Sequence, residues 1–510
     1  MLYRRESMSR YAFFADGNQL WRELAEALAS RGHEPTIWLG HPRHLEWVRE
    51  RFPTCKVFDE RALNHGDYDP SSTVPLPFEL RRSGLFAQIE RAATYSLQRN
   101  TRYRPLGYLE CRDFCGAMSN FLWTEIKNSE IDAFIASQAP HSTAGLLFAG
   151  ILEANGYEML HFDQVPIAPR MVPRRGFDFQ SVSLDNLETH SDPVSDGDLS
   201  LWIERFVERI KQEEMAYSEE RNSRFERQLV GPLGALRRIK YTRAELRAIL
   251  DGYALSPVHP APGGIHRATL KASFQASRYK RRKLSYLRQE LSKHSGETAD
   301  GEPFWLFFLH FEPEKTTLPN GDLLGDQLYL VQHAAAQMPR GTKLYVKEHP
   351  SQLLSAMNGH VGRPSNFYSD LASIPRVQIV PPQRDLSALI RSAEVILTVT
   401  GTVAVEGLFW GKTVVYFGHP WYQNLIGTNS FENFASGGTT FSTHSNQEPS
   451  HGTPEQNLKE FLLRTSLLGA ISPGQSRYFV EQGWTETFDL SSISEVCRRH
   501  IESGLHGIQH

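Results

Sequence analysis

Cysteine is scarce in this chain: Cys55, Cys111, Cys115 and Cys497 are the four in 510 residues. So few cannot build a disulfide framework, and a reducing compartment is expected. Cys111 and Cys115 sit four apart, with His141 and His161 further along. No second close ligand pair accompanies them, so buried or idle thiols are expected and zinc is not. Long apolar runs are also missing. No uncharged stretch reaches the ~18 residues a membrane-spanning helix needs, and no charged-then-apolar signal segment opens the chain. The expectation is a cytoplasmic protein that could lie on a membrane face without crossing it. Charge of one sign is lacking too: 55 Lys and Arg face 58 Asp and Glu, for a formal net charge of -3. That gives no global reason to expect nucleic acid as a partner. No repeat of solenoid period appears, and no Asp-x-Asp metal motif stands at a predicted strand end.

What is present is enough apolar material for more than one core. Hydrophobic residues make up 40% and charged residues 22%, which argues against disorder and coiled coil. A chain of this length exceeds the ~250–300 residues at which single cores stop growing. The segment "RYAFFADGNQ", the helical pattern "LWRELAEALASRG" and "PTIWLG" alternate as βαβ units do. "IDAFIASQAP" followed by "HSTAGLLFAGILEANGYEMLHF" repeats the alternation, with His141, Ser142 and Thr143 expected in a helix's first turn. A second α/β region starts at "FWLFFLHFEPE" and continues through "KLYVKEHP", "VQIVPP", "EVILTVT" and "KTVVYFG". The expected organisation is an α/β unit over 1–191, a charged helical linker or insert over 192–300, a second α/β unit over 301–440, and a loop with C-terminal helices over 441–510 packing back on the body. Within the last region, 437–457 is expected to be loop.

The densest site signal runs from Glu394 to Gly418. A buried strand ends at Thr398–Thr400, Gly401 allows a sharp turn, and Thr402 stands where a helix should begin. Amides of a first helical turn, with threonine hydroxyls beside them, suit a phosphate. Glu406 lies four residues on, about 6 Å along the axis, where an acceptor-only carboxylate could take both hydroxyls of a ribose. An ordinary crossover with capping threonines and a solvated Glu406 is the competing reading. "KLYVKEHP" ends in Lys347, Glu348, His349 and Pro350, and "LHFEPE" carries His310, Glu312 and Glu314 at the matching end of its strand. Charged groups therefore gather where parallel strands open toward a ligand.

These strings resemble the capsular polysaccharide biosynthesis proteins, a group of nucleotide-sugar glycosyltransferases with the two-Rossmann GT-B architecture. The resemblance is good from about Pro303 to Gly427 and weaker over "IDAFIASQAPHSTAGLLFAGILEANGYEMLHFDQVPIAPR". It implies an α/β fold of two Rossmann-like domains facing a cleft, with a helical linker or insert. It also implies that His349 and Pro350 contact the nucleotide phosphate, that Thr400, Gly401 and Thr402 form the turn that holds it, and that Glu406 meets the ribose. His310 and Glu314 would face the cleft, and His141 would meet the acceptor or serve as base. Gly407 departs from the family pattern, where an alanine usually follows the glutamate. A longer turn of some relatives is absent, so the donor stays open.

The expected activity is transfer of a sugar from a CMP- or UDP-activated donor to a growing capsular or surface polysaccharide, or to its lipid-linked acceptor. Lys347 and His349 would stabilise the departing phosphate. His141 is the first candidate for a base and Asp16, at the end of the first strand, its rival. Helix capping competes for His141, and a simple turn for Asp16-Gly17-Asn18. No metal and no cofactor beyond the nucleotide sugar is expected. The basic run Arg278–Lys283, with Tyr286 nearby, reads either as a solvated helix face or as a contact for anionic lipids or glycan at the inner membrane face. A GT-B-like sugar-nucleotide epimerase and a non-catalytic glycan- or nucleotide-binding component of capsule export are the alternative functions.

Overall fold

The structure is a computed structural model. It describes residues 9–100, 107–184, 187, 196–212, 270–297, 301–312, 314–321, 326–355, 357, 359–381, 384, 386–436 and 452–507. The Pro-, Gly- and His-rich string Ser256–His266 of the linker region, which reads as a loop, lies outside the described residues.

The apolar runs form the strands of two sheets. In the first, β1 (Ser9–Ala15), β2 (His33–Gly40), β3 (Lys56–Asp59), β4 (Ala133–Ala136) and β5 (Met159–Val165) are parallel, in the spatial order 3-2-1-4-5. Then β6 (Arg170–Arg175) pairs antiparallel with β5, and β7 (Gln180–Ser181) antiparallel with β6. β1 shows why a near-continuous apolar run is needed. Ala12 and Phe14 enter one core while Tyr11, Phe13 and Ala15 enter the core on the opposite face, so both faces of the strand are covered.

In the second sheet, β8 (Phe304–Phe308), β9 (Lys343–Lys347), β10 (Val377–Ile379), β11 (Val395–Thr398), β12 (Thr413–Tyr416) and β13 (Thr428–Ser430) are all parallel. Their order is β10-β9-β8-β11-β12-β13, which is the 3-2-1-4-5-6 order of a Rossmann sheet. Phe304 and Leu306 face one core and Trp305 and Phe307 the other. In each sheet the strand order reverses beside the first strand, between β1 and β4 and between β8 and β11. Such reversals leave a crevice at the carboxyl ends of the strands, where ligands bind.

The two described helices of the linker region pack on the second sheet. Helix Asp196–Lys211 buries Leu199, Ile203, Phe206 and Ile210 along one stripe, and helix Leu270–His294 buries Leu287 and Leu291, as amphipathic helices do. The loop expected to reach residue 457 ends sooner. Helix Pro454–Thr465 starts with a capping box between Thr453 and Gln456 and proline in its first turn, a start signal present in the string "TPEQ". After it, β14 (Leu467–Leu468) pairs antiparallel with β6 of the first sheet. Helix Leu490–Gly507 then buries Ile493, Val496, Cys497 and Ile501 in the first domain's core.

The sheets are joined by more than a chain crossing. Val165, Ile167, Ala168 and Val172 of the first domain share one core cluster with Leu389, Tyr416, Trp421 and Tyr422 of the second. The buried Arg174 donates to the carbonyls of Pro420 and Trp421 at 3.1 and 3.2 Å, and Phe179 stacks on His419 at 4.8 Å. All four cysteines are free and buried.

Candidate functional site

The carboxyl ends of the parallel strands of the two sheets face each other across one cavity of about 1160 Å³. That exceeds the ~300–1,000 Å³ usual for one small ligand. His141, Asp16, Lys347, His349, Pro350, Thr400, Gly401, Thr402, Glu406, His310 and Glu314, the residues singled out from the sequence, all line it. Strand ends from both reversal points supply them: Asp16 follows β1, His141 lies beyond β4, His310 follows β8, and Thr400 follows β11.

The wall built by the second sheet is tightly assembled. His310 Nε2 accepts from the Thr398 hydroxyl at 2.9 Å and from the Thr400 N–H at 3.2 Å. Its proton therefore sits on Nδ1, which meets the Thr316 hydroxyl at 3.3 Å. Burial pushes this imidazole down to about 3, so it stays neutral and serves as an acceptor. The Thr398 hydroxyl in turn accepts the Gly401 N–H at 3.2 Å, and the Thr400 hydroxyl donates to the Thr316 carbonyl at 2.8 Å. This corrects the expectation that these threonine hydroxyls are donors to a ligand: Thr398 and Thr400 spend theirs on the turn. Thr402 begins helix Val403–Phe409, but its side chain makes no capping bond. Among the described residues the amides of Thr402 and Val403 make no hydrogen bond, and these are the donors the turn offers.

Gly401 is required by close approach. A Cβ there would lie 2.7 Å from the Thr398 hydroxyl oxygen and 3.2 Å from His310 Nε2. The glycine at Gly407, anomalous for the resembled family, has a similar cause, since a Cβ there would meet Ile396 Cδ1 at 2.6 Å.

Glu406 is buried, and burial pushes its carboxyl up to about 7 although Arg209 pulls the other way. Its Oε2 has no hydrogen-bond partner among the described residues. A buried oxygen left unsatisfied is costly, and its place on the cavity wall gives it a ligand to meet. This argues against the solvated Glu406 of an ordinary crossover. His349 Nδ1 accepts the Ser351 N–H at 3.1 Å, so the neutral ring carries its proton on Nε2, a donor that suits a phosphate oxygen. Burial pushes His349 down to about 4. Lys347 is buried and donates to the Pro381 carbonyl at 3.1 Å. Beneath these residues, Arg363 makes a bidentate pair with Glu348, both contacts at 2.9 Å, and donates to the His310 carbonyl at 2.8 Å. Glu348 also accepts from Tyr368 at 2.8 Å and from the His349 N–H at 2.7 Å. One guanidinium thus ties the two histidine-bearing strand ends together.

The opposite wall is looser. Asp16 accepts from Gln138 Nε2 at 2.9 Å and from the Gly17 N–H. Burial raises its carboxyl above the ordinary range. Asn18 belongs to the turn: its Oδ1 accepts the Leu20 N–H at 3.1 Å, and its amide donates to the Ala470 carbonyl at 2.8 Å. His141 is exposed and stands outside the helix expected to contain it, because Thr143–Ala154 is capped by Ser142, whose hydroxyl accepts the Gly145 N–H at 3.1 Å. Capping is therefore not the task of His141. Across the cavity Lys315 pairs with Asp163 at 3.3 Å, joining the two domains.

Sequence reasoning missed Gln138, Asp163, Lys315, Arg209, Tyr478 and Arg363. Lys315 follows "LHFEPE" directly and was within reach of the motif, whereas Arg209, Arg363 and Tyr478 lie in stretches with no local signal. Among the described residues, no group of three His, Cys, Asp or Glu side chains is placed to hold a metal ion, and no helix is long and apolar enough to cross a membrane.

Two Rossmann-like domains with a cavity between their strand ends define a GT-B-like fold. Residues 265–430 match the family described as "Capsule polysaccharide biosynthesis protein". The match contains "LHFEPE", "LYVKEHP" and the string from Glu394 to Gly418, so the resemblance is shown over the second sheet. No curated protein matches the chain. Among solved structures, the chain is similar to Thermosulfurimonas dismutans KpsC, beta Kdo 2,4 transferase, at 19% identity over 30% of this chain and 48% of that one, with a TM-score of 0.22. The chain thus spans about half of that protein. It is also similar to Thermosulfurimonas dismutans KpsC, beta Kdo 2,7 transferase, at 11% identity over 90% and 91% of the two chains, with a TM-score of 0.27. Anabaena Alr3699/HepE in complex with UDP-glucose is similar at 10% identity over 92% and 99%, with a TM-score of 0.22. Likeness of this degree carries no activity across.

Proposed function

We propose that the protein is a glycosyltransferase that moves a sugar from a nucleotide-activated donor, a CMP- or UDP-sugar, to a growing capsular or surface polysaccharide or its lipid-linked acceptor. The observation that supports this reading is the buried, unpartnered Glu406 in a cavity that also holds His349, the amides of Thr402 and Val403, and an acidic group from the other domain. Glu406 takes the ribose hydroxyls. His349 Nε2–H, the two amides and the charge of Lys347 take the phosphate and stabilise it as it leaves. The first domain presents the acceptor, and Asp16 is better placed as base than His141 because Gln138 and Gly17 hold its carboxylate at the cavity wall. A raised carboxyl is closer to the pH at which a general base works. No cofactor beyond the nucleotide sugar is required.

A lipid-linked acceptor would bring the enzyme to a membrane face. In helix Leu270–His294 the basic run divides: Lys283 donates to Ser365 at 2.7 Å, while Arg278, Arg281 and Arg282 are exposed beside Tyr279 and Tyr286. Cations with aromatic neighbours suit an anionic interface. Salt-dependent pelleting with anionic liposomes that survives R281E plus R282E removes this contact.

The test of the activity is a thermal-shift panel of CMP, UDP and GDP on the full chain, repeated with E406A and H349A and followed by donor turnover. Stabilisation by one nucleotide, weakened in both variants, with donor hydrolysis and no free epimer, is expected. No stabilisation by any of the three removes the transferase and epimerase readings together. Nucleotide binding without turnover leaves the non-catalytic component.

A further inference from the structure

Two walls of the cavity come from the sheets, but a third does not. Helix Asp196–Lys211 and helix Pro473–Glu481 contribute no strand to either sheet, yet Arg209 and Tyr478 line the cavity together with Glu406. Packing fixes this wall. Trp202 meets Phe479 edge-on at 5.7 Å, and Phe206, one turn on, meets Phe409 of the site helix at 5.9 Å. Arg205 donates to the Gln482 carbonyl at 3.0 Å. Arg209 donates to the Tyr478 hydroxyl at 3.4 Å. Positions 202, 206 and 209 are i, i+4 and i+7 of one helical stripe. That stripe spans the helix carrying Glu406 and the helix carrying Tyr478.

Glu406 needs such a neighbour. Its carboxyl is buried, its Oε2 is unpartnered among the described residues, and an isolated carboxylate in that setting is strongly disfavoured. Arg209 is the cation that acts on it. We propose that Arg209 is a positioning residue for Glu406, held by Tyr478, so that two helices outside both sheets complete the ribose end of the nucleotide site. The inference rests on Glu406 being the ribose acceptor. An ionised carboxylate accepts both ribose hydroxyls, whereas a protonated one gives up part of that capacity. Burial alone drives Glu406 toward the protonated form and Arg209 opposes it. Asp16 and Glu314 also line the cavity with carboxyls raised by burial, and E406Q, which keeps both, separates their pH response from that of Glu406. His349 and His310 stay neutral above about 4 and about 3, and Lys347 is unchanged in every variant of the test.

The test is calorimetric binding of CMP, UDP and GDP to the full chain between about pH 6 and about pH 9, for wild type, R209Q, R209K, Y478F and E406Q. Wild-type affinity should tighten roughly tenfold as pH rises through Glu406's range, since one pH unit changes the minor form about tenfold. R209Q should bind roughly tenfold more weakly near neutrality and recover most of the loss at the alkaline end, because its midpoint moves up. R209K should keep the wild-type profile, Y478F should shift it in the direction of R209Q by less, and E406Q should bind weakly with the pH response gone. An R209Q affinity reduced equally at every pH, or unchanged, overturns the inference while leaving the nucleotide site standing. Failure of wild type to bind any of the three overturns both.

Discussion

The two walls of the cavity are built on different principles. Behind the second sheet's strand ends, Arg363, Glu348, Tyr368 and His310 form a buried network that fixes two histidines and a glycine turn before any ligand arrives. The first sheet offers Asp16, held by one glutamine and one amide, and an exposed His141. Preorganisation on one side suits a small, constant ligand such as a nucleotide diphosphate. An open wall suits a large acceptor whose reacting end alone must be placed. The largest effect should come from breaking the network. R363M leaves the Glu348 carboxylate buried without its cation, a change that costs about 3–5 kcal/mol. Chemical denaturation should show it as a fall in midpoint. An unchanged midpoint would mean that the wall does not depend on that pair.

The open wall is tested by the rate. With Asp16 as base, D16N should lower turnover about 100-fold or more while nucleotide affinity stays within about twofold of wild type. H141A should do less. Wild-type kcat/KM should rise with pH through a value above the ordinary aspartate range, because burial raises that carboxyl, and this rise should vanish in D16N. A larger loss in H141A than in D16N would exchange the two roles.

Glu406 links stability to binding with opposite signs. Its folded carboxyl, at about 7, lies above its ordinary value of 4.5. The stability it contributes is present below the ordinary value and is lost as pH rises through about 7, by at most about 3 kcal/mol. In E406Q, unfolding of the unliganded protein should therefore be flatter over that window than in wild type. Nucleotide binding in wild type should improve over the same window. If wild type and E406Q unfold with the same pH dependence, the carboxyl is not buried in solution as it is here.

Legibility in the sequence followed the same division. β8, β9 and β11 could be read because strands covered on both faces must be apolar throughout, and their ends could be read because His310, His349 and Thr400 interrupt those runs abruptly. Residues that act by tertiary placement could not. Arg363 is fifteen residues from Glu348, and Arg209 and Tyr478 reach the cavity that Glu406 lines from helices whose pattern reports only one buried stripe. β14, two residues long, gave no periodic signal at all, and its pairing with β6 depends on the third dimension. The Thr400 hydroxyl is a related case: near a phosphate turn it reads as a ligand donor, while the carbonyl that accepts it, that of Thr316, lies eighty-four residues away.

Two glycines of the same turn and helix provide the smallest and sharpest comparison. G401A places a methyl 2.7 Å from the Thr398 oxygen that receives the Gly401 N–H, and 3.2 Å from His310 Nε2. The clasp must open, at a cost of about 1–3 kcal/mol for an overpacked site, and the amides of Thr402 and Val403 move with it. G407A places a methyl 2.6 Å from Ile396 Cδ1, on the face of the helix turned toward β11. Both variants should lose stability by similar amounts in thermal unfolding. Only G401A should also weaken nucleotide binding, by roughly tenfold, the equivalent of about 1.4 kcal/mol. Equal losses of affinity in the two would show that the ligand senses the seating of the helix as a whole, and the preassembled turn would lose its separate part in the site.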